Sequence, residues 1–245
     1  MKKFSVVMMT LILCSCAMPP QSDQFEAKQI ETEHFSIAVW EKKTIQNGEP
    51  LRIYFEGDGS PNPYHKVAFD FAQKDKTPNV IYVARPCQWS DEKLCKKEPQ
   101  IYKEARFHPL IIRDMQELTQ YLLRKHKAPE AELIGYDGGA VIALNMAVRV
   151  PTQRIITIAG ITDVDAYTTY NDLPKMNEDE VENPASQLAL LAQIPQVHYV
   201  GQNDDITPRR LVERFVGRMQ NPVSAVVNVV SGTGHTDWES VELNY

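Results

Sequence analysis

Long hydrophobic runs are missing from this chain of 245 residues. The apolar stretch from Phe4 to Leu13, roughly ten residues, falls short of the ~20 that a transmembrane helix needs. Basic blocks are missing too. Lysine and arginine number 26 against 32 aspartates and glutamates, a formal charge of −6. No cationic stripe is present to meet a phosphate backbone, which excludes nucleic acid as the expected partner. Cysteine is scarce, four residues in all, and no internal repeat is present. What remains is 43% hydrophobic and 24% charged, the composition of a globular domain. At this length one α/β domain buries roughly 70% of its unfolded surface.

The first residues read as an export signal. Lys2 and Lys3 precede the short apolar run, which ends in Leu13-Cys14-Ser15-Cys16. That ending resembles a bacterial lipobox, with Leu13 three places before Cys16 and small Ser15 just ahead of it. Cys14, directly behind bulky Leu13, is the poorer lipidation site. An ordinary secretory signal with incidental cysteines is the alternative. Cleavage before Cys16 removes two lysines and takes the formal charge from −6 to −8. Lipid chains on Cys16 would anchor the protein stably. Ala17, rather than Asp, in the next place favours the periplasmic face of the outer membrane by Gram-negative sorting rules. Residues 16–33 read as a flexible tether. Export puts the domain in an oxidising compartment, where Cys87 and Cys95 remain. A disulfide between them closes a small loop and would stabilise by ~2–3 kcal/mol in the chain-entropy view. A metal pair is the alternative, but no further ligand is spaced nearby.

Beyond residue 34, strand-like and helix-like segments alternate. This predicts an α/β domain with a mostly parallel central sheet and helices on both faces. Strands are expected at His34–Trp40, Leu51–Phe55, Asn79–Ala84, Glu132–Gly135, Arg154–Ala159, Gln196–Val200 and Val223–Val230. An amphipathic helix is expected from Pro109 to Lys127, with Ile111, Ile112, Met115, Leu118, Leu122 and Leu123 on one face. A fully apolar helix is expected from Gly138 to Val150, stopped by Pro151. A further helix is expected over Thr207–Met219 and a short closing one over Asp237–Tyr245. The polar stretch 160–184 is expected to arch over the strand ends as a lid or insertion.

Four motifs carry the candidate chemistry. Gly135-Tyr136-Asp137-Gly138-Gly139 joins an apolar strand to an apolar helix, and its glycines leave room for a sharp turn that lifts Asp137 above the sheet. Asp137 would serve there as nucleophile, or simply cap the helix. Gly201-Gln202-Asn203-Asp204-Asp205 follows a strand, and Asp204 is preferred over Asp205 as the acid that orients a histidine. Ser231-Gly232-Thr233-Gly234-His235 follows the last strand, and a glycine-flanked loop histidine suits a base. Glu56-Gly57-Asp58-Gly59 follows an early strand. The Asp58 and Gly138 N–H groups are the candidate oxyanion hole. None of these motifs calls for a cofactor or a resident metal.

The order Asp137, Asp204, His235 is that of nucleophile, acid and base in α/β hydrolases. From about residue 34 onward the chain resembles that superfamily, and more narrowly proteobacterial lipoprotein-type α/β hydrolases. The narrower resemblance is carried by Glu56-Gly57-Asp58-Gly59, Arg85-Pro86-Cys87-Gln88, the Gly135–Gly139 elbow, Asn183-Pro184, Ile194-Pro195-Gln196 and Asp204. It implies a hydrolase fold and a Ser-Asp-His triad, and the expected substrate is a small ester-like or alkyl/epoxide molecule. Here Asp137 stands where that group has serine. An aspartate suits attack at a saturated carbon, as in haloalkane dehalogenases and epoxide hydrolases, better than at an ester carbonyl. Dehalogenases usually carry a bulky residue after the aspartate, and this chain has Gly138. Tyr167 and Tyr170 are candidate proton donors to an epoxide oxygen. A catalytically inactive binding or scaffold protein is the alternative from another class, and a serine hydrolase that has lost its serine is a third reading.

Overall fold

The computed structural model describes residues 19–58, 65–89 and 106–243. The leader, Cys16 and Cys95 lie outside these ranges. The strands are β1 (Phe25–Glu31), β2 (Ser36–Lys42), β3 (Leu51–Phe55), β4 (Val80–Val83), β5 (Ala131–Tyr136), β6 (Thr152–Ile158), β7 (Gln196–Gly201) and β8 (Ala225–Val230). They form one eight-stranded sheet in the order β1-β2-β4-β3-β5-β6-β7-β8. β2 runs antiparallel to β1 and β4, and the strands from β4 through β8 are parallel.

Central strands of such a sheet are buried on both faces and read as continuous apolar runs. Alternation then sorts their side chains into two cores. Ile53, Leu133 and Ile155 join the core shared with the long helix α2 (Pro109–Lys125) and the elbow helix α3 (Gly138–Ala147). Tyr54, Ile134 and Ile156 face the other way, onto α1 (Val67–Lys74) and Trp238. All ten residues of α3 are buried, so its apolar-all-round sequence matches its place. In α2, the buried residues from Ile111 to Leu123 form the expected stripe, and Pro109 occupies the first turn.

Three expectations need correction. Residues 25–31, read as part of a tether, form β1. Its burial pattern is mostly exposed, so composition conceals it; its hydrogen bonds come from the main chain of β2 over seven paired positions. Phe25 anchors it against Phe69, ring centroids 5.7 Å apart. Residues 238–243 form a turn and irregular chain, not the expected closing helix, whose last two residues lie outside the described ranges. A helix this short has little stability of its own, and Trp238 instead locks the chain down, 2% exposed and edge-on to Phe71. The helix expected over Thr207–Met219 is α6 (Arg209–Gly217), entered through Pro208, with Thr207 outside it.

Between β3 and β4 lies α1, whose N-cap residue Lys66 offers no side-chain cap. The Ala68 and Phe69 amides bond instead to the Glu56 carboxylate. The stretch 160–184 contains α4 (Val164–Tyr170) and a 3₁₀ turn at Glu178–Glu180, and a second 3₁₀ turn, Pro184–Gln187, leads from its end into α5 (Leu188–Leu191). With Asp58, Arg106 and Phe107, residues 167–180 enclose a cavity of about 440 Å³.

Candidate active site

β5 ends at Tyr136 and α3 begins at Gly138, so the chain turns on Asp137 alone. Asp137 has φ 49° and ψ −121°, a left-handed conformation rare for a side-chain-bearing residue. Such strain, of order 1–3 kcal/mol, persists only where the surroundings enforce it. Here the enforcement is main-chain: Asp137 N–H donates to Ile158 O at 3.1 Å, and its carbonyl accepts from Ala140 and Ile161 N–H, both at 3.1 Å. The flanking glycines are needed for contact. A Cβ on Gly135 would strike the Gly139 carbonyl, and one on Gly139 would strike that of Phe55.

The Asp137 side chain makes no capping hydrogen bond to α3. It turns instead toward two other groups. Its Oδ2 accepts the Asp58 N–H at 3.1 Å. Its Oδ1 lies 3.5 Å from His235 Nε2. The Asp58 carboxylate sits over Gly138, where any Cβ would clash with it. It pairs with Arg85 at 2.7 Å and more loosely with Arg106 at 3.7 Å. Burial, reinforced by the charge of Asp137, still holds the Asp58 carboxyl above its ordinary range against the two arginines.

On the far side of the imidazole, His235 Nδ1 lies 3.0 Å from Asp204 Oδ2. Asp204 is 5% exposed and tightly held. Its Oδ1 accepts from the Ile206 and Thr207 amides, each at 2.9 Å, and its Oδ2 lies 2.8 Å from the Thr207 hydroxyl. Burial raises the Asp204 pKa, but the His235 and Thr207 contacts outweigh it and hold the carboxyl below its usual range. Burial also opposes a charge on His235. The hydrogen bonds and charges of Asp137 and Asp204 prevail, and its pKa is pushed up to about 9. The imidazole is therefore a cation at neutral pH, bracketed by two carboxylates.

The three side chains expected at one centre, Asp137, Asp204 and His235, stand together, and Asp205 is exposed away from it. Thr207, Tyr136 and Trp238 were not assigned to the site by sequence. The Thr207 hydroxyl reaches Ala159 O at 2.9 Å as well as Asp204. The Tyr136 hydroxyl and Trp238 Nε1–H both donate to the His235 carbonyl, at 3.2 and 2.8 Å, which fixes the histidine loop. No sequence signal marks Tyr136, the variable position of its motif. Tyr167 lines the cavity beside Asp58, and burial with the Asp137 and Asp58 charges pushes its hydroxyl up to about 12, so it stays protonated. Tyr170 faces elsewhere, with the Arg210 guanidinium 4.3 Å from its ring centre. Among the described residues, no group of three His, Cys, Asp or Glu side chains is placed to hold a metal ion.

No protein-family pattern matches the chain, and no curated protein matches it by sequence. Solved structures do resemble it. The esterase Pf2001 of Pyrococcus furiosus superposes with a TM-score of 0.62 at 14% identity, over 88% of this chain and 84% of that one. Est1E from Butyrivibrio proteoclasticus gives 0.60 at 10% identity, covering 86% and 90%. An alpha-beta serine hydrolase homologue from Coxiella burnetii gives 0.57 at 14% identity, covering 89% and 92%. The fold is therefore the α/β-hydrolase fold.

Proposed function

We propose that this protein is a hydrolase that attacks a saturated carbon of a small alkyl or epoxide substrate through Asp137. The observation that carries the reading is the placement of the Asp137 carboxylate: one oxygen on a main-chain N–H, the other facing His235. In the first step Asp137 attacks the carbon, a C–O bond forms and the bond to the leaving group breaks. For an epoxide, the departing oxygen takes a proton from Tyr167. The product is an ester on Asp137, and its carboxylate charge is gone. His235 thereby loses one of the two charges that keep it protonated, so it gives up its proton, through solvent to the Tyr167 phenolate for an epoxide and to bulk water for an alkyl halide, and becomes a base. It then takes a proton from water, and the hydroxide adds to the ester carbonyl. The oxyanion forms on Oδ2, where the Asp58 N–H already points. Collapse expels the alcohol, which leaves with the proton from His235, and the Asp137 carboxylic acid that remains passes its proton to His235, restoring the carboxylate and the imidazolium. Asp204 holds the imidazole by Nδ1 throughout.

Replacing His235 by Gln blocks the second step. Incubation with a panel of epoxides and alkyl halides should then leave a covalent adduct on Asp137, read by intact mass and peptide mapping. An unmodified mass across the panel would remove this reading. A second reading is supported by the completeness of the remaining triad: the site is that of a serine hydrolase whose serine has become Asp137. Asp137→Ser should then raise p-nitrophenyl acetate hydrolysis well above wild type. A third, non-catalytic ligand binder, is favoured by the closed Asp137–His235–Asp204 ion bracket. It requires no turnover in either variant, but saturable binding that raises Tm.

The same proposal places the enzyme in the bacterial envelope, anchored through lipid on Cys16 at the periplasmic face of the outer membrane. Cys87, buried at 4% exposure with φ 70°, is proposed to pair with Cys95. Globomycin-sensitive processing and a non-reducing mass analysis check these two assignments.

A further inference from the structure

The Asp58 N–H that meets Asp137 belongs to the peptide unit whose carbonyl is Gly57 O. A trans peptide is planar, with its C=O and N–H pointing in opposite directions. Whatever grips Gly57 O therefore also aims the Asp58 N–H. That grip is Gln88, fully buried, whose Nε2 donates to Gly57 O at 3.1 Å. The other end of the same amide is also occupied: Gln88 Oε1 accepts the Arg85 N–H at 2.9 Å. The Gln88 amide thus has one satisfying orientation, with its donor toward Gly57. The preceding peptide is held as well. Gly57 N–H donates to Glu56 Oε1 at 2.9 Å, and Glu56, 1% exposed, is braced by the Tyr82 hydroxyl at 3.0 Å. Gly57 has no room to swing with a side chain, since a Cβ would come within 2.8 Å of the Tyr136 ring.

We propose that Gln88 is a positioning residue: it holds the Gly57–Asp58 peptide in the orientation that presents an N–H, rather than a carbonyl oxygen, to the Asp137 carboxylate. In the flipped orientation Gly57 O would face a carboxylate oxygen and no oxyanion site would exist. The inference rests on Asp137 as the nucleophile whose ester carbonyl uses that N–H.

Gln88→Glu tests it, because the shape is kept while the donor becomes an acceptor. Ionised Glu at this position repels Gly57 O; protonated, it donates to it again. Burial raises the pKa of such a carboxyl, so the switch falls in an accessible pH range. The rate at which the Asp137 ester is hydrolysed should match wild type in acid. By pH 8 it should fall about a hundredfold or more below it, the scale of a lost oxyanion donor. A second readout needs no chemistry. Amide exchange at Asp58, followed by ¹⁵N NMR, should quicken about tenfold in the variant at pH 8 and recover in acid, while the Ile206 and Thr207 amides serve as controls. If Gln88→Glu does not fold, Gln88→Ala should show the same loss of protection at Asp58. Unchanged Asp58 exchange in the folded variant, with a wild-type-to-variant rate ratio flat across pH, overturns the proposal. If wild type forms no ester with any electrophile, the nucleophile reading fails, and Asp58 exchange alone decides the role of Gln88.

Discussion

Two aspartate–histidine pairs in this protein are built from the same parts. Asp114, fully buried, collects a threonine hydroxyl from Thr32 at 2.7 Å, two main-chain N–H groups from His34 and Phe35 at 2.7 and 3.1 Å, and His34 Nδ1 at 2.9 Å. Asp204 collects a threonine hydroxyl, two main-chain N–H groups and His235 Nδ1. The carboxylate cages are alike, and they differ in what meets the second ring nitrogen. His34 Nε2 lies 2.9 Å from an Arg113 guanidinium nitrogen and 3.8 Å from the exposed Glu33 carboxylate, both at the surface. His235 Nε2 faces the Asp137 carboxylate at 3.5 Å. A caged imidazole is thus a general device for pinning a loop. It becomes a candidate catalyst only where its far nitrogen addresses a reactive group.

The largest expected contrast is chemical. Asp204→Asn should lower turnover by ~10³-fold or more, since the imidazole loses its orienting charge. Asp114→Asn should leave turnover per folded molecule unchanged. Equal losses in both, measured by steady-state kinetics on folded protein, would erase the distinction. The next contrast is in stability. Asp114→Ala strands four donors of a buried cage and should cost about 3 kcal/mol, lowering Tm by about 6–12 °C in calorimetry. A Tm shift under about 2 °C would mean that the cage does not secure the loop before β2.

The pH response sharpens the picture further. The folded pKa of His235, about 9, lies above the ordinary imidazole value near 6.5. The folded state therefore holds a proton that the unfolded chain releases first. Stability from the bracket is complete below ~6.5 and fades as pH rises through about 9, a loss on the order of 3 kcal/mol. Denaturant curves at pH 6, 8 and 10 should show this decline in wild type and not in His235→Gln; parallel declines would refute it. His198 gives the opposite sign. Burial lowers its pKa to about 4, so stability should drop as pH falls from ~6.5 toward 4. The smallest effect belongs to Thr207→Val, which deletes one hydroxyl from the Asp204 cage. Turnover should fall by about tenfold, with Thr32→Val silent in the same assay.

The parts of this fold that local chemistry dictates were legible in the sequence. The strand–Asp137–helix turn announces itself through glycines and uninterrupted apolar flanks, and α2 through its stripe. Elements whose support comes from elsewhere were not. β1 is an edge strand that contributes few buried side chains, so its pairing with β2 leaves almost no trace in composition. α1 borrows its cap from Glu56, before the helix and outside any capping pattern. Within the site, Asp137, Asp204 and His235 were readable because each follows a strand and meets a chemical need. Tyr136, Thr207 and Trp238 act through the His235 carbonyl or the Asp204 cage, partners that only the folded chain brings near.

The turn at Asp137 is fixed by backbone meeting backbone, with Gly135 and Gly139 packed against carbonyl groups and no intervening side chain. Its position owes nothing to the identity of the residue at its apex. Under the proposed function the scaffold behaves as a socket: exchanging that single side chain would replace the attacking atom, while the main-chain hydrogen bonds around it stay where they are.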